Sequence, residues 1–488
     1  MTAPLLGLSN PELLVTRAAC GGEWIAGRAD FPVINPATGE TIARVPDLGT
    51  AETSTAIVRA EAAMREWARR TAKERAQLLR CWFDLMMQHQ DDLARIMTAE
   101  QGKPLAEARG EIAYAASFIE WFAEEGRRAY GEVIPPHRAD HRILTLRQPV
   151  GVVGAITPWN FPAAMITRKA APALAAGCAI VIKPAPQTPL TALALAHLAE
   201  QAGIPLALIS TITTRDAVGV GGELTANPIV RKLSFTGSTA IGKQLMRQCA
   251  DTVKKVSLEL GGNAPFIVFD DADLDAAVAG AMASKFRNAG QTCVCANRFY
   301  VQSGIHDAFA ERFAQAVADL RIGNGARPET EIGPLIDEAA VSKVEHLLGA
   351  ALLAGAELVT GGKRRGAQGH FFEPTVVAGV RPDMEIANCE IFGPVASLTQ
   401  FTDEAEVIAL ANDTRAGLAA YFYGRDLSRS WRVAEALEYG IVGINTGIVS
   451  TEVAPFGGVK ESGIGREGSR HGLDDYLEIK YLCIGEVR

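Results

Sequence analysis

The sequence predicts an α/β fold with two doubly wound, parallel-sheet domains and a small β arm. From about residue 150 to 260, strand-like apolar runs alternate with helical stretches, as in a parallel sheet covered by helices. A second alternating series extends from about Ala264 to Ile441. A chain of 488 residues also exceeds what one simple core supports, so two or three domains are expected.

The first series is preceded by a helical region. Between residues 50 and 130, apolar positions recur at helical spacing, and Gly102 is suited to end a helix. HRADHRILTLRQP then has the alternation of an exposed strand, and a helix is predicted from Met165 to Ala176. Strands are predicted at VGVVGAIT, CAIVIKP, LALISTIT, RKLSFTGS and KKVSLELGG.

The second series has the same alternation and leads to a strand-like tail. Leu274 to Ala289 is predicted as a helix that Gly290 ends. The tail, DDYLEIKYLCIGEVR, alternates like a strand, and together with HRILTLRQP it is predicted to form an arm that pairs with another subunit. Strands of this series are predicted at RFYVQ, FEPTVVAGV and VASLTQF.

Composition excludes several classes of function. The 48 basic and 56 acidic residues give a net charge of −8 without long runs of one sign, so neither nucleic acid nor an anionic membrane is an expected partner. Apolar stretches are interrupted short of the roughly 20 residues that span a bilayer. The N-terminus lacks the features of a signal or transit peptide, which predicts a cytoplasmic protein. Eight sparse cysteines without CxxC pairs predict neither a disulfide scaffold nor a metal site.

Cys293, in GQTCVCANR, is a candidate nucleophile. It falls in a polar loop just past the predicted helix end, where a thiol is accessible for reaction. The alternative is a buried structural thiol, the commonest role of an isolated cysteine. Taken alone, this motif leaves the two interpretations evenly balanced.

Three further motifs each carry one candidate residue. In LSFTGSTAIGK, Ser238 and a helix start could bind a pyrophosphate, although Gly237-x4-Gly242 is not the G-x-G-x-x-G fingerprint. Glu259 in VSLELGG ends a predicted strand, where active-site carboxylates of open α/β sheets lie. Asn160 lies between the prolines of TPWNFP, in a rigid loop suited to an amide donor. A turn-and-cap, a solvated carboxylate and an Asx turn are the respective structural alternatives.

Together these motifs identify a family. PWNFP, IKPAPQTP, FTGSTAIG, ELGGNAPFIVFDDADLD, GQTCVCANR, EIFGP and PFGGVKESGIGREG closely resemble, in order, the aldehyde dehydrogenase superfamily from about Asn35 onward. The resemblance implies that Cys293 adds to an aldehyde as a thiolate. It implies that Asn160 and the Cys293 N–H stabilise the oxyanion, and that Glu259 is the base that activates water. Because Cys293 and Glu259 are both present, a catalytically silent relative and a variant acylating coenzyme A are disfavoured.

The resemblance also implies a dinucleotide site. Lys183 would contact the adenosine ribose, Ser238 the pyrophosphate and Glu390 the nicotinamide ribose, while Trp159 and Phe392 would also contact the cofactor. Many NAD-preferring relatives carry Glu where this chain has Pro186, and a carboxylate there would repel a 2′-phosphate. We therefore favour NADP over NAD. No metal is expected.

Two arginines indicate which class of aldehyde is the substrate. Arg168 follows Asn160 by eight residues and Arg287 precedes Cys293 by six, so both could reach one tunnel and bind a distal carboxylate. The alternative is that each pairs with a structural acid. ITRK, KFRNAGQTCVCANR and NTGIVSTEVAPFGG resemble the succinate-semialdehyde dehydrogenase branch, in which these arginines and a serine matching Ser450 hold the substrate carboxylate. Glutarate semialdehyde and broad specificity remain the alternatives.

The resemblance implies further properties. Cys295 is expected either to close a reversible disulfide with Cys293 or to be a small packed residue. A homodimer or homotetramer and a role in γ-aminobutyrate breakdown are also expected. The resemblance assigns a Rossmann-like, dinucleotide-binding domain to residues 1–130 and 150–260, and a catalytic domain to residues 261–440. Residues 131–149 and 470–488 are assigned to the oligomerisation arm, and residues 441–469 return to the cofactor domain.

Overall fold

The computed structural model describes residues 6–487 and has the predicted α/β architecture of two largely parallel sheets and a small β arm. Residues 1–5 and 488 belong to the predicted cofactor domain and arm and lie outside the described residues. Among residues 6–487, no helix combines the length and the apolar character needed to cross a membrane.

The first sheet is built from short apolar runs that are buried on both faces. Ala179–Lys183, for example, is buried at every residue, as expected for a central parallel strand. Five strands at the centre of the sheet are parallel, and the remaining strands pair antiparallel at its edges. The strands lie in the order Gly463–Ile464, Lys255–Glu259, Val230–Thr236, Val152–Ile156, Ala179–Lys183, Ile209–Thr211, Ala18–Cys20 and Glu23–Ile25.

The strand order creates a crevice. Val152–Ile156 lies between Ala179–Lys183 and Val230–Thr236, so the chain first builds outward on one side and then returns to the other. Loops that leave adjacent strands on opposite sides of such a switch point diverge, and ligands bind between them. The loop that carries Asn160 and the turn that carries Ser238 both leave the sheet at this point.

Helices cover this sheet. Thr71 and Glu74 form a capping box at the start of Ala72–Gln88. Ala164–Ala176 is buried along its whole length and ends at Gly177, whose φ of 98° suits the left-handed cap. The helices of this part are Thr50–Trp67, Ala72–Gln88, Gln90–Gln101, Leu105–Glu125, Ala164–Ala176, Pro189–Gln201, Ala217–Ala226 and Thr239–Ala250.

The second sheet has seven strands, of which all but the first in spatial order run parallel. Ile441–Ile444 pairs with Ala419–Tyr423, so this sheet extends past the boundary predicted at residue 440. The chain rejoins the first sheet at Gly463–Ile464. The strands lie in the order Glu357–Thr360, Thr375–Ala378, Val395–Phe401, Ala296–Gln302, Ala264–Val268, Ala419–Tyr423 and Ile441–Ile444.

One predicted helix is shorter than expected. The helix predicted from Leu274 to Ala289 ends at Lys285, and a 3-10 turn, Arg287–Gly290, follows it. Asn288 and Ala289 have φ values of 53° and 54°, which an α-helix cannot contain. The prediction for its last residues was therefore wrong. The other helices of this part are His306–Ala318, Glu338–Leu353, Glu385–Asn388, Glu404–Asn412 and Leu427–Ala436, and His471–Asp474 follows the return to the first sheet.

The two segments predicted to form an arm pair with each other. Arg142–Pro149 and Leu477–Ile484 run antiparallel over eight residue pairs, from Leu477 opposite Pro149 to Ile484 opposite Arg142, and Val133–Ile134 adds a short third strand. Ile479 is 65% exposed and Tyr481 58% exposed, so this sheet carries apolar side chains that its own chain leaves uncovered.

Candidate active site

Cys293 lies in a turn that tertiary contacts shape. The backbone N–H of Asn288 donates to Glu107 Oε2 at 2.8 Å, and the Asn288 amide donates to the carbonyl oxygens of Asn160 and Gln291 at 3.0 and 3.2 Å. These bonds hold the left-handed residues that end the helix early. As a result, the Cys293 turn is fastened to the Asn160 loop.

Asn160 is 4% exposed, and its side chain faces this same turn. Its amide nitrogen donates to the carbonyl of Gln291 at 3.0 Å, while Oδ1 has no hydrogen-bond partner among residues 6–487. One N–H of the amide is therefore still available beside Cys293, in the place where an oxyanion donor is needed.

Glu259 is the last residue of Lys255–Glu259 and is 3% exposed. Within residues 6–487, its Oε2 has no hydrogen-bond partner. Burial, followed by the neighbouring carboxylate of Glu467, raises the pKa of Glu259 well above its usual value. Gly262, which follows it, permits a close approach, because a Cβ there would overlap the carbonyl oxygen of Cys293.

A cavity of about 390 Å³ brings together the predicted catalytic residues and most of the predicted cofactor residues. Its wall is formed from both sheets' loops, so it lies in the crevice between the two parts of the chain. The sequence-predicted residues that line it are Trp159, Asn160, Ser238, Glu259, Cys293, Glu390 and Phe392.

The residues at the ends of this cavity have distinct environments. Ser238 is the N-cap of Thr239–Ala250, but its hydroxyl makes no capping bond, which leaves it free for a ligand. Glu390 Oε1 accepts from the N–H of Gly262 at 3.0 Å, and burial raises the pKa of Glu390 to about 7. The rings of Trp159 and Phe392 meet edge to face at 5.6 Å.

Lys183 is the predicted cofactor residue that this cavity does not include. It ends the strand Ala179–Lys183, is 5% exposed, and has its pKa lowered to about 8 by burial, with Asp216 opposing that change. Lys183 therefore lies next to the crevice, at the end of the strand beside Val152–Ile156, but outside the wall of the cavity that contains Cys293.

A second cavity of about 290 Å³ contains the predicted substrate residues Arg168, Arg287 and Ser450. Cys293 and Met165 line both cavities. The cysteine thus lies where two spaces meet, one with Glu259 and Asn160 and one with the arginines. Burial raises the pKa of the Cys293 thiol to about 12, and the positive charge of Arg168 opposes that rise.

Arg168 combines features of both interpretations that the sequence left open. Its Nε lies 2.7 Å from Glu467 Oε2 in a buried ion pair, which is the structural alternative. However, Nη2 has no hydrogen-bond partner among residues 6–487, and the residue lines the second cavity. The guanidinium also lies over the ring of Phe456 at 4.1 Å. One edge of Arg168 is held by Glu467, and another is available to a ligand.

Arg287 has no ion-pair partner within 4 Å in the described part of the chain. Its guanidinium lies 5.4 Å from the centre of the Phe161 ring. The Cys295 thiol is buried and donates to the carbonyl of Lys285 at 3.4 Å. Cys295 therefore packs against the helix end, and both Cys293 and Cys295 are free thiols.

Comparison with known proteins identifies the family. A sequence profile described as the aldehyde dehydrogenase family matches residues 24–482, nearly the whole chain. The chain belongs to the aldehyde dehydrogenase family. In this family member, Cys293, the buried Glu259 and Asn160 line one cavity.

Full-length relatives of this aldehyde dehydrogenase include two semialdehyde dehydrogenases. It is 63% identical to succinate-semialdehyde dehydrogenase [NADP(+)] GabD of Escherichia coli K12, over 98% of this chain and 99% of that protein. It is 62% identical to glutarate-semialdehyde dehydrogenase of Pseudomonas putida KT2440, over 98% of this chain and 99% of that protein. A crystal structure of succinate-semialdehyde dehydrogenase from Burkholderia pseudomallei matches with a TM-score of 0.97 at 61% identity, covering 98% of this chain and 99% of that chain.

A buried ion pair that the sequence of this aldehyde dehydrogenase does not reveal holds the Asn160 loop. Lys103 Nζ donates to Glu111 Oε2 at 2.5 Å and to the carbonyl of Asn160 at 2.9 Å. Glu111 Oε1 accepts from the N–H groups of Ala163 and Ala164, at the start of the next helix. No local signal in the sequence marks these two residues, because the segment between them also contains the charged Glu107 and Arg109, and only the fold shows their target.

Proposed function

We propose that this aldehyde dehydrogenase oxidises succinate semialdehyde to succinate with NADP or NAD. The observation that carries the proposal is that Cys293 lines two cavities, one with the candidate cofactor residues Ser238 and Glu390 and one with two arginines. The similarity to the E. coli and P. putida enzymes supports a C4 or C5 semialdehyde as substrate.

Cys293 is proposed to form the covalent intermediates. Its thiolate adds to the aldehyde carbon and gives a thiohemiacetal, whose oxyanion is stabilised by the free N–H of the Asn160 amide and by the Cys293 N–H. Loss of a hydride from the former aldehyde carbon leaves a thioester on the sulfur. The Asn288 and Lys103 contacts hold the Asn160 loop against the cysteine turn, so the donors are in place before the aldehyde arrives.

Glu259 is proposed to be the base that activates water for hydrolysis of the thioester. Its unpartnered Oε2 and its position on the cavity wall with Cys293 support this role. Glu259 accepts one proton from the water as its oxygen adds to the thioester carbon. The C–S bond then breaks, the acid product passes its proton to the sulfur and leaves as the carboxylate, and Glu259 releases its proton to solvent. Because burial raises the pKa of Glu259, its carboxylate is a stronger base than an exposed one.

The first cavity contains residues suited to the nicotinamide end and the pyrophosphate of a dinucleotide. Ser238 leaves its hydroxyl and the start of Thr239–Ala250 available to a pyrophosphate, and Glu390 is placed to accept from a ribose hydroxyl. Trp159 and Phe392 complete the wall beside Cys293. A bound NADP or NAD supplies the acceptor for the hydride. The cofactor domain is accordingly proposed to be the part built on the first sheet, and the catalytic domain the part built on the second.

NADP is the proposed preferred cofactor, with Lys183 beside its 2′-phosphate. Pro186→Glu should therefore reduce kcat/KM with NADP relative to NAD by about tenfold, since a carboxylate there would repel the phosphate and accept from a ribose 2′-hydroxyl. Initial rates with each dinucleotide at saturating aldehyde measure this ratio. Pro186→Gln is the neutral control, and an equal ratio in both variants would remove the basis for the preference.

Arg287 is proposed to bind the carboxylate at the far end of the substrate, with the free edge of Arg168 and the Ser450 hydroxyl beside it. All three line the second cavity, and Arg287 has no ion-pair partner within residues 6–487. Arg168 is held in place by Glu467, so its orientation is maintained without substrate. Charge-assisted bonds of this kind bind a carboxylate more strongly than neutral ones do.

Arg287→Ala should lower kcat/KM for succinate semialdehyde by about a hundredfold, with a much smaller effect on propanal, since only the first substrate has a carboxylate to bind. Arg287 is a better test than Arg168, whose removal would also leave Glu467 without its buried partner. Arg312→Ala, which removes an exposed arginine outside both cavities, is the control. Equal losses on both aldehydes would instead support a broad-specificity enzyme with structural arginines. Including glutarate semialdehyde in the same panel distinguishes the C4 from the C5 substrate.

The β arm is proposed to join subunits into a homodimer or homotetramer. Its exposed Ile479 and Tyr481 support this assignment, because apolar side chains on a small sheet are usually covered by a partner. Sedimentation of the intact protein measures the assembly size. A reversible Cys293–Cys295 disulfide and a role in γ-aminobutyrate breakdown stay predictions from the resemblance, and a cytoplasmic location stays a prediction from the N-terminal sequence.

A further inference from the structure

Glu107 is an acidic side chain on the wall of the second cavity. The mechanism proposed above does not use it. It lies in the first turn of Leu105–Glu125, where the helix dipole favours a negative charge. The same cavity contains Arg287 and Cys293. An acid in a space proposed to bind an acidic substrate requires an explanation, because it opposes that binding.

The Glu107 carboxylate is held at a defined position. Its Oε2 accepts from the backbone N–H of Asn288 at 2.8 Å, and Asn288 directly follows Arg287 in the chain. The bond fixes the carboxylate against the turn that presents the Arg287 guanidinium. A hydrogen bond from a backbone N–H also favours the ionised form of a carboxyl group.

Most other charges around this cavity already have a partner. Lys103 pairs with Glu111, and Arg168 pairs with Glu467. Glu107 and Arg287 have no ion-pair partner within 4 Å among residues 6–487, and they face the same space. Burial raises the pKa of Glu107, whereas the charge of Lys103, the Asn288 N–H and the charge of Arg287 lower it. The carboxylate is thus part of the electrostatic environment of Arg287.

We propose that Glu107 is a specificity-determining residue that competes with the substrate carboxylate for Arg287 and so limits how tightly the second cavity binds acidic ligands. The inference rests on the proposed function. Oxidation converts a monoanionic substrate into a dianionic product, which an unopposed Arg287 together with the free edge of Arg168 would retain. A fixed negative charge beside Arg287 weakens binding of the product, and binding that is equally strong in the ground and transition states does not raise kcat.

Glu107→Gln tests the charge alone. The amide oxygen can still accept from Asn288, so the turn keeps its support while the negative charge is lost. Inhibition by succinate should strengthen about tenfold, the size expected for loss of a nearby, partly screened like charge. The ratio of KM for succinate semialdehyde to KM for propanal should fall. Glu124→Gln removes an exposed charge farther along the same helix and should leave both quantities unchanged.

Two further variants make the result decisive. Glu107→Asp keeps the charge, so succinate should inhibit this variant as strongly as the wild type. This comparison separates the effect of the charge from a general disturbance of the site. In an Arg287→Ala background, Glu107→Gln should change succinate inhibition by less than about twofold, since the group competed for is gone. Unchanged succinate inhibition in Glu107→Gln would overturn the inference while leaving the proposed function intact. Loss of substrate selectivity in Arg287→Ala is required by the proposed function itself and is measured separately.

Discussion

Replacement of Cys293 by Ala is expected to lower kcat for aldehyde oxidation by about four orders of magnitude or more, as for other enzymes that lose a covalent nucleophile. No other thiol can take its place, because Cys293 alone among the described cysteines lines both cavities. Reduction of the dinucleotide, followed by absorbance, measures the effect. Cys483→Ala removes an exposed thiol on the arm and is the matched control.

The rate of the wild-type reaction should also depend on pH. Because burial raises the pKa of the Cys293 thiol to about 12, the thiolate fraction in the resting protein increases as pH rises toward that value. The pre-steady-state rate of dinucleotide reduction should therefore increase between pH 6 and 9 in the wild type. Activity near the wild-type level in Cys293→Ala would contradict the mechanism, whatever its pH dependence.

Glu259→Gln is expected to separate the two halves of the reaction. The variant should still reduce about one dinucleotide per site in a rapid burst, because thiolate addition and hydride loss do not require hydrolysis. Steady-state turnover should fall by about 10²–10⁴-fold, the usual contribution of a general base. Stopped-flow measurement of the burst together with steady-state rates tests both expectations.

The raised pKa of the Glu259 carboxyl group predicts a difference in pH dependence between the wild type and Glu259→Gln. A base acts only when it is ionised, so wild-type hydrolysis should increase as pH rises through the pKa of Glu259, and the variant should lose this increase. Glu357→Gln, on an exposed edge strand, is the control. Loss of the burst as well would show that Glu259 acts first on the thiol, and wild-type turnover would exclude it as the base.

Local sequence patterns were sufficient to predict the main helices and strands and the positions of several site residues. Apolar runs and helical spacing depend on neighbours along the chain, so they predicted the strand that ends at Glu259 and the helix that begins after Ser238. Parallel strands then place such strand ends at one edge of a sheet. This is why residues far apart in sequence could be expected to share one cavity.

Long-range contacts determined the features that the sequence did not predict. The helix before Cys293 stops at Lys285 because Glu107 and Asn160 bind Asn288 in a left-handed conformation, which helical periodicity cannot show. Arg168 pairs with Glu467 from the far end of the chain, and no local pattern relates the two.

By itself, the amino-acid sequence determined the strand and helix order, the family resemblance and the identity of the candidate nucleophile, base and amide donor, since these depend on local pattern and motif. Only the tertiary structure decided that Cys293 lies between two cavities, that Lys183 lies outside the first, and that one edge of Arg168 is already occupied. The physical reason is that cavities and buried ion pairs arise from the packing of distant segments, whose relative positions no single stretch of sequence contains.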